Sequence, residues 1–181
     1  MKSIDVLVLH RIKGIGNKKQ LALIKCYKDK RLNSLEELLE FALNQTATLK
    51  KAVELLKEFF ANNLYLPTKE ECENDLAKWR SAGITVVAFG SVDYPIQLES
   101  LDDPPALLFC KGNLNLLSSP KSVTVVGTRE NTKLGEKIAC KTVEHFSHAD
   151  FCIVSGLALG IDTIAHRAAL ESGGTTIAVI V

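Results

Sequence analysis

The chain has 181 residues, of which 46% are hydrophobic and 24% are charged, an ordinary globular composition that suffices for one sizeable core or two small ones. No segment reaches the apolar length of a membrane helix, and the apolar run near the N-terminus is too short and too interrupted for a signal peptide. Because the five cysteines form no C-x-x-C pair and the four histidines add no ligand spacing, the sequence predicts reduced thiols in a cytoplasmic protein, with no metal and no cofactor.

The formal net charge of +1 conceals an uneven distribution along the chain. Residues 1–66 carry 12 Lys and Arg against 7 Asp and Glu, whereas residues 67–181 carry 10 against 14. A basic segment joined to an acidic one indicates two units and a polyanion contact on the first. A solvated lysine face explains the same charges equally well.

Residues 1–66 predict a small all-helical domain. Two short helices flank a tight turn within residues 3–31, the capping box Ser34-x-x-Glu37 opens a helix over 35–43, and an apolar stripe over 49–60 marks another helix. We place a boundary near Pro67, after which a second capping box, Thr68 to Glu71, opens a helix that runs to Gly83.

Residues 67–181 predict an α/β domain with a Rossmann-like parallel sheet. Five short β-branched runs lie at 84–89, 107–110, 123–126, 151–154 and 175–181. Helical patterns over about 132–148 and 159–172 separate the last three of them. Strands that alternate with helices favour a parallel sheet covered by helices.

Two glycine-containing junctions carry the candidate chemistry. Gly127, Thr128 and Arg129 follow one strand, and the segment from Ser155 to Asp162 follows the next. Strand-to-helix junctions of doubly wound folds present backbone N–H groups to anions, and arginine suits phosphate. Each junction alone is equally a tight turn or a packing site, but two neighbouring junctions on one sheet edge favour a phosphate site.

Several chemical signatures are missing from these junctions. Neither glycine run is G-x-G-x-x-G, and no G-x-x-x-x-G-K-[ST] loop occurs. Asp162 is expected to cap the following helix or to organise the loop, and His166 lies four residues later on the same helix face. An Asp/His pair can perform acid–base chemistry, but no nucleophile or metal set accompanies it, so we predict a binding protein rather than an enzyme.

The segment from Lys13 to Lys18 resembles a helix-hairpin-helix, whose glycine-rich turn brings backbone N–H groups to a DNA phosphate. Its candidate DNA contacts are Lys13, Gly14, Gly16 and Lys18. A hairpin that only packs the two helices together is the alternative.

The second half of the chain resembles the DNA processing protein A (DprA, also called Smf) family over residues 80–181. The residues that carry the resemblance stand in order: Asp93-Tyr94-Pro95, Asp102-Asp103-Pro104-Pro105, Val126-Gly127-Thr128-Arg129, Ser155-Gly156-Leu157-Ala158-x-Gly160-Ile161-Asp162, Ala165-His166 and Gly173-Gly174-Thr175-Thr176. Residues 1–66 are more loosely similar to the helical sterile-alpha-motif-like or helix-hairpin-helix-like domain of many members.

The resemblance implies single-stranded DNA binding and protection during DNA uptake and natural transformation, with loading of the RecA recombinase, and no catalytic activity. It implies phosphate binding by one set of residues: Gly127, Thr128, Arg129, Ser155, Gly156, Leu157, Ala158, Gly160 and Ile161. It also implies that Asp162 and His166 organise the loop. A Rossmann-like enzyme that binds or processes nucleotides remains the alternative.

Family members continue beyond the position of Val181, where this chain stops within an expected strand. We expect the surfaces for homodimer formation and for RecA in that continuation, so both partnerships are doubtful for this polypeptide.

Overall fold

A computed structural model of the chain describes residues 1–41 and 46–180. They form two compact units, Met1–Leu114 and Asn115–Val181. The end of the helix predicted over 35–43 and the end of the strand predicted over 175–181 lie outside the described residues.

The first unit begins with five helices: α1 (Ser3–Arg11), α2 (Asn17–Asp29), α3 (Leu35–Phe41), α4 (Ala47–Ala61) and α5 (Tyr65–Ser81). The chain reverses between α1 and α2 at Gly14, whose φ of +87° favours glycine. The capping box predicted before α3 is present in part: Ser34 Oγ accepts from Glu37 N at 3.4 Å, whereas a Glu37 carboxylate oxygen accepts at 2.9 Å from the N–H group of Asn33, one residue before the N-cap.

The predicted start of α5 is wrong. The helix begins at Tyr65 and not at the capping box of Thr68, so Pro67 lies in its first turn. A proline is tolerated there because the first N–H groups of a helix have no intrahelical acceptor. The boundary that we placed near Pro67 therefore falls inside a helix, whereas the compact units divide between Leu114 and Asn115.

The first two strands, β1 (Ile84–Ala88) and β2 (Leu107–Lys111), belong to the first unit and pair antiparallel, with Val86 opposite Phe109. Our expectation that they join a parallel sheet is wrong. The connection between them holds only the short α6 (Ile96–Glu99) and no crossover helix. The end of β1 packs against α1 and α2 through Val6, Leu21 and Ile24, which explains why the two segments form one unit.

Asn17, the first residue of α2, fastens that helix to the loop before β2. Its side-chain nitrogen donates to Asp103 Oδ1 and to the Pro104 carbonyl, each at 2.8 Å, and its side-chain oxygen accepts from Ala106 N at 2.9 Å. Three hydrogen bonds of this one short side chain thus connect the start of α2 to the loop before β2.

The second unit is a parallel three-stranded sheet in the order β3 (Ser122–Thr124), β4 (Cys152–Ser155), β5 (Thr176–Ala178). A 3₁₀ turn, Leu114–Ser118, precedes β3, and the crossovers are α7 (Lys133–His148) and α8 (Ile161–Glu171). The helices pack on each other and on β4 around a small core that consists of Val143, Ile153, Ala165, Ala168 and Ala169. The predicted α/β class with a parallel sheet is confirmed for this unit.

The five cysteines are free thiols. Across residues 1–41 and 46–180, no helix combines the length and the apolar character needed to cross a bilayer. The same residues contain no group of three His, Cys, Asp or Glu side chains that could hold a metal ion.

Candidate functional site

The two glycine-containing junctions lie at one edge of the second unit. Because β3 and β4 are parallel neighbours, the loops that follow their carboxyl ends emerge side by side. We call residues 125–132 the first loop and residues 156–160 the second loop. The first leads into α7 and the second into α8.

The two loops are interlocked through their backbones. Ile161 N donates to the Thr128 carbonyl at 3.1 Å. A Cβ atom at Gly160 would meet the Thr128 carbonyl oxygen and would lie 2.7 Å from Arg129 Cα, distances that real Cβ atoms do not show. In the opposite direction, a Cβ atom at Gly127 would lie 2.6 Å from Ile161 Cγ1. Both glycines are thus required because the loops touch, and Gly160 also has a φ of +82°.

Asp162 holds the second loop from inside. One of its carboxylate oxygens accepts from Gly156 N at 3.2 Å and from Ala158 N at 3.4 Å, and the residue is only 7% exposed. Thr163 closes the turn, since its Oγ1 donates to the Ala158 carbonyl at 2.7 Å. This geometry suits the loop-organising role predicted for Asp162, because a buried carboxylate fixes two adjacent N–H groups.

Ser155 connects the two strands below the loops. Its hydroxyl donates to the Val125 carbonyl at 2.6 Å and its side chain is 2% exposed. The bond fixes the start of the first loop against β4, and the contact of Ser155 with phosphate stays a prediction. The hydroxyl proton has an acceptor already and water cannot reach it.

The remaining donors face outward. Arg129 is exposed at the turn of the first loop, and Leu157, with a φ of +60°, is 54% exposed in the second. Among the residues that the structure describes, the backbone N–H groups of Leu157, Leu159 and Gly160 have no acceptor within the protein. Unpaired backbone N–H groups and an exposed arginine side chain are groups that bind an anion such as a phosphate.

The structure therefore narrows the predicted set of phosphate ligands. Five of the nine residues have an N–H or hydroxyl donor engaged within the protein: Thr128, Ser155, Gly156, Ala158 and Ile161. Among the described residues, the donors without a partner are those of Gly127, Arg129, Leu157 and Gly160 and the backbone N–H group of Thr128. The unpaired N–H group of Leu159 was missed by sequence reasoning, because a backbone donor leaves no signal in residue type.

His166 faces β5 and not the second loop. Thr176 Oγ1 donates to the Ile153 carbonyl at 2.8 Å, so its lone pair accepts from His166 Nδ1–H at 2.7 Å. The other ring nitrogen, Nε2, is therefore unprotonated, and it is buried without a partner. Burial lowers the pKa of His166, and the negative charge of Asp162 acts in the opposite direction.

The candidate hairpin of the first unit lies between α1 and α2, with Lys13 and Lys18 exposed. Lys19 Nζ donates to the Gly14 carbonyl at 2.5 Å, and Gln20 donates to the Ile15 carbonyl at 3.1 Å. These bonds engage two carbonyl groups of the turn. The DNA contact predicted for Lys13, Gly14, Gly16 and Lys18 stays a prediction.

A parallel sheet with crossover helices and an anion-competent edge at its carboxyl ends defines the second unit as a Rossmann-like α/β fold. Comparison with known proteins makes the assignment more specific. The model of the family described as DNA recombination-mediator protein A matches residues 85–181, which are more than half of the chain. The chain belongs to this family.

Relatives support the same assignment. DNA processing protein DprA of Bacillus subtilis (strain 168) is 41% identical over 105 residues, which are 58% of this chain and 35% of that protein. DprA of Streptococcus pneumoniae (strain ATCC BAA-255 / R6) is 54% identical over 87 residues, 48% of this chain and 30% of that protein. The chain thus spans about a third of the length of these curated relatives.

A solved structure matches the chain beyond the family segment. The X-ray structure of DNA processing protein A (DprA) from Streptococcus pneumoniae aligns with 99% of this chain and 58% of that chain, at a TM-score of 0.67 and 30% sequence identity. The names of the family and of these relatives describe DNA processing and recombination mediation, and none of them names a chemical reaction.

Proposed function

We propose that this chain binds single-stranded DNA at the interlocked loops of the second unit, with backbone phosphates held between Arg129 and the unpaired N–H groups of the second loop. The observation that carries the proposal is the interlock itself: Gly160 lies against the backbone of Thr128 and Arg129. Through that contact, the segment that carries the exposed Arg129 and the segment that carries the unpaired N–H groups are backbone neighbours at one edge of the sheet. The hydrogen bonds of Asp162 and Ser155 already order the two loops, so binding loses little conformational entropy there.

Phosphate is the ligand that this chemistry fits. A guanidinium and backbone N–H groups bind any nucleotide sequence equally, because phosphate contacts carry no base information. Binding should therefore weaken as salt rises and should show little preference among sequences. The family description supports DNA as the source of the phosphates.

The test compares Arg129→Ala with Arg167→Ala, since both arginines are exposed in the second unit. Binding of labelled oligothymidylate is followed by fluorescence anisotropy, with a duplex of equal length as competitor. We expect Arg129→Ala to lose roughly ten- to a hundredfold in affinity, the value of a hydrogen bond to a charged group, and Arg167→Ala to stay near the wild type. Equal affinities for all three proteins would overturn the assignment of the site.

We extend the proposal to a role in which the bound strand is protected and passed to the RecA recombinase in the cytoplasm during DNA uptake and recombination. The family description, which names recombination mediation, supports the recombination part of this step. A pull-down of RecA with the chain, with and without oligothymidylate, tests it, together with the oligomeric state by light scattering. Failure to retain RecA under both conditions would remove the partner from this proposal.

A further inference from the structure

The cationic side chains of the second unit are concentrated in one short segment. Residues 115–181 contain six Lys and Arg and six Asp and Glu, so this part of the chain is neutral overall. Four of its six cations nevertheless lie between residues 129 and 141: Arg129, Lys133, Lys137 and Lys141. A neutral unit with its cations in one place has a local, not a global, attraction for an anion.

The three lysines form a row on α7. They are spaced at four residues, which advances each by about 6 Å along the helix and by about 40° around it, and all three are exposed. The row is therefore about 12 Å long. It begins where α7 begins, four residues after Arg129, and four residues of chain span at most about 14 Å. The row thus continues outward from the first loop.

The lysines of this row form no salt bridge within the described residues. Within residues 1–41 and 46–180, the only salt bridges are those of Asp75 with Arg11 and Lys78, so the three ammonium groups have no carboxylate partner. Glu136 follows Lys133 by three residues and lies about 60° from it around the helix axis, on the side away from Lys137. Glu144 is aligned with the row and follows Lys141 by three residues, about 4.5 Å along the helix, at the end of the row that is farthest from the first loop.

The arrangement is unfavourable for the helix itself. Like charges four residues apart repel one another, and Lys133 stands as the first residue of α7, where the positive end of the helix dipole disfavours a cation. Local rules of this kind are broken at sites that serve binding. Beside the row, Leu134 and Ile138 are 67% and 56% exposed and offer an apolar strip to bases or sugars.

The geometry points to α7 as the continuation of the binding path, so that a single strand held at the interlocked loops runs along Lys133, Lys137 and Lys141. This inference rests on the proposed function and adds the direction and length of the bound strand. The loops hold the first phosphates, and the lysine row holds the following ones by charge alone. Each lysine acts as a mobile point charge and selects no sequence.

The experiment uses the intact chain and two oligothymidylates, one of about 4 and one of about 12 nucleotides, within the site sizes of single-stranded-DNA proteins. The variant Lys133→Gln/Lys137→Gln/Lys141→Gln removes the row. Its matched control is Lys50→Gln/Lys51→Gln/Lys57→Gln, which removes three exposed lysines from α4. The triple change to arginine at positions 133, 137 and 141 keeps the charge.

We expect the row variant to bind the short oligonucleotide like the wild type and the long one more weakly. Three lost phosphate contacts lower the salt slope by about 2, so a rise from about 50 to 200 mM salt should cost the wild type about twentyfold more affinity than the variant. The α4 control and the arginine variant should keep the wild-type slope. Equal slopes for wild type and row variant would overturn the inference.

A labelling measurement on the wild type makes the result independent of how any variant folds. Acetylation of lysines by an amine-reactive reagent is read by mass spectrometry with no DNA, with the short oligonucleotide and with the long one. Protection of Lys133, Lys137 and Lys141 by the long one alone supports the path. Unchanged acetylation contradicts it.

The outcomes separate this inference from the proposed function. If Arg129→Ala abolishes binding of both oligonucleotides while the row variant behaves as wild type, the loops bind DNA and α7 does not. If the wild type binds neither oligonucleotide, both ideas fall together. An acidic protein that protects the row when the long oligonucleotide does not would also refute the path along α7.

Discussion

Replacing Gly160 by alanine tests the contact on which the site depends. The glycine has a φ of +82° and a ψ of −129°, a region that other residues rarely enter, and this backbone strain alone costs about 1 to 3 kcal/mol. The added methyl would also lie 2.7 Å from two backbone atoms of Arg129. Since backbone cannot rotate away like a side chain, we add about 1 to 3 kcal/mol for overpacking. The expected loss of stability is about 2 to 6 kcal/mol.

Gly173→Ala is the matched control. Gly173 also has a positive φ, of +69°, but a Cβ atom there would meet nothing within 4 Å. It should therefore show only the backbone cost, about 1 to 2 kcal/mol. The difference between the two variants isolates the steric contact between the loops.

The assay must report on the second unit. Residues 115–181 contain neither tryptophan nor tyrosine, and the single tryptophan, Trp79, lies in the first unit. Amide hydrogen exchange of peptides from residues 122–178, combined with urea unfolding followed by circular dichroism, measures the right segment. Gly160→Ala should also weaken oligothymidylate binding, whereas Gly173→Ala should not. Equal destabilisation by the two variants, with unchanged DNA binding, would refute the interlock.

Two further predictions concern buried polar contacts. Burial lowers the pKa of His166 in the folded state. As the pH falls, His166 is therefore protonated in the unfolded chain before it is protonated in the folded one. The free energy of unfolding should thus stay constant above about pH 6.5 and decrease below it. His166→Asn, which keeps a donor near the Nδ1 position, should flatten that fall in urea titrations from about pH 5 to about pH 8, while His148→Asn, at an exposed site, should not. Asn17→Ala should cost about 2 to 4 kcal/mol, since three hydrogen bonds to the loop before β2 are lost, whereas Asn62→Ala should cost about 1 kcal/mol or less. Tryptophan fluorescence in urea checks the Asn17 prediction, and equal midpoints for the two asparagine variants would contradict it.

The periodicity of the sequence predicted most helices of both units within a few residues, because their apolar stripes are long and their caps are specific. It failed at Pro67, where a proline that looks like a boundary occupies the first turn of α5. It also failed for β1 and β2. A β-branched run shows that a strand forms, but the direction of its partner depends on long-range packing, here on Val6, Leu21 and Ile24.

The sequence predicted which loops form the candidate site, but not which of their atoms are available to bind a ligand. The glycines marked the two junctions in the sequence, but the contact of Gly127 and Gly160 with the facing loop is visible only in the structure. Which N–H groups of the second loop remain free depends on the direction of the Asp162 side chain, and that is settled by three-dimensional placement. The serine that looked most like a phosphate ligand is the one most deeply engaged within the protein.

Net charge and charge spacing point to different parts of the chain. The excess of lysine in residues 1–66 suggested that the first segment meets the polyanion, whereas the second unit is neutral. A neutral unit attracts a strand as strongly as a basic one when its cations form a row and its carboxylates lie elsewhere, since at physiological salt a charge acts over only about 8 Å. The spacing of Lys133, Lys137 and Lys141 at helical intervals therefore carries more information about DNA than the overall balance does. The same screening sets the condition for cooperation with Arg129, because charges farther apart than that distance bind as separate, weaker sites.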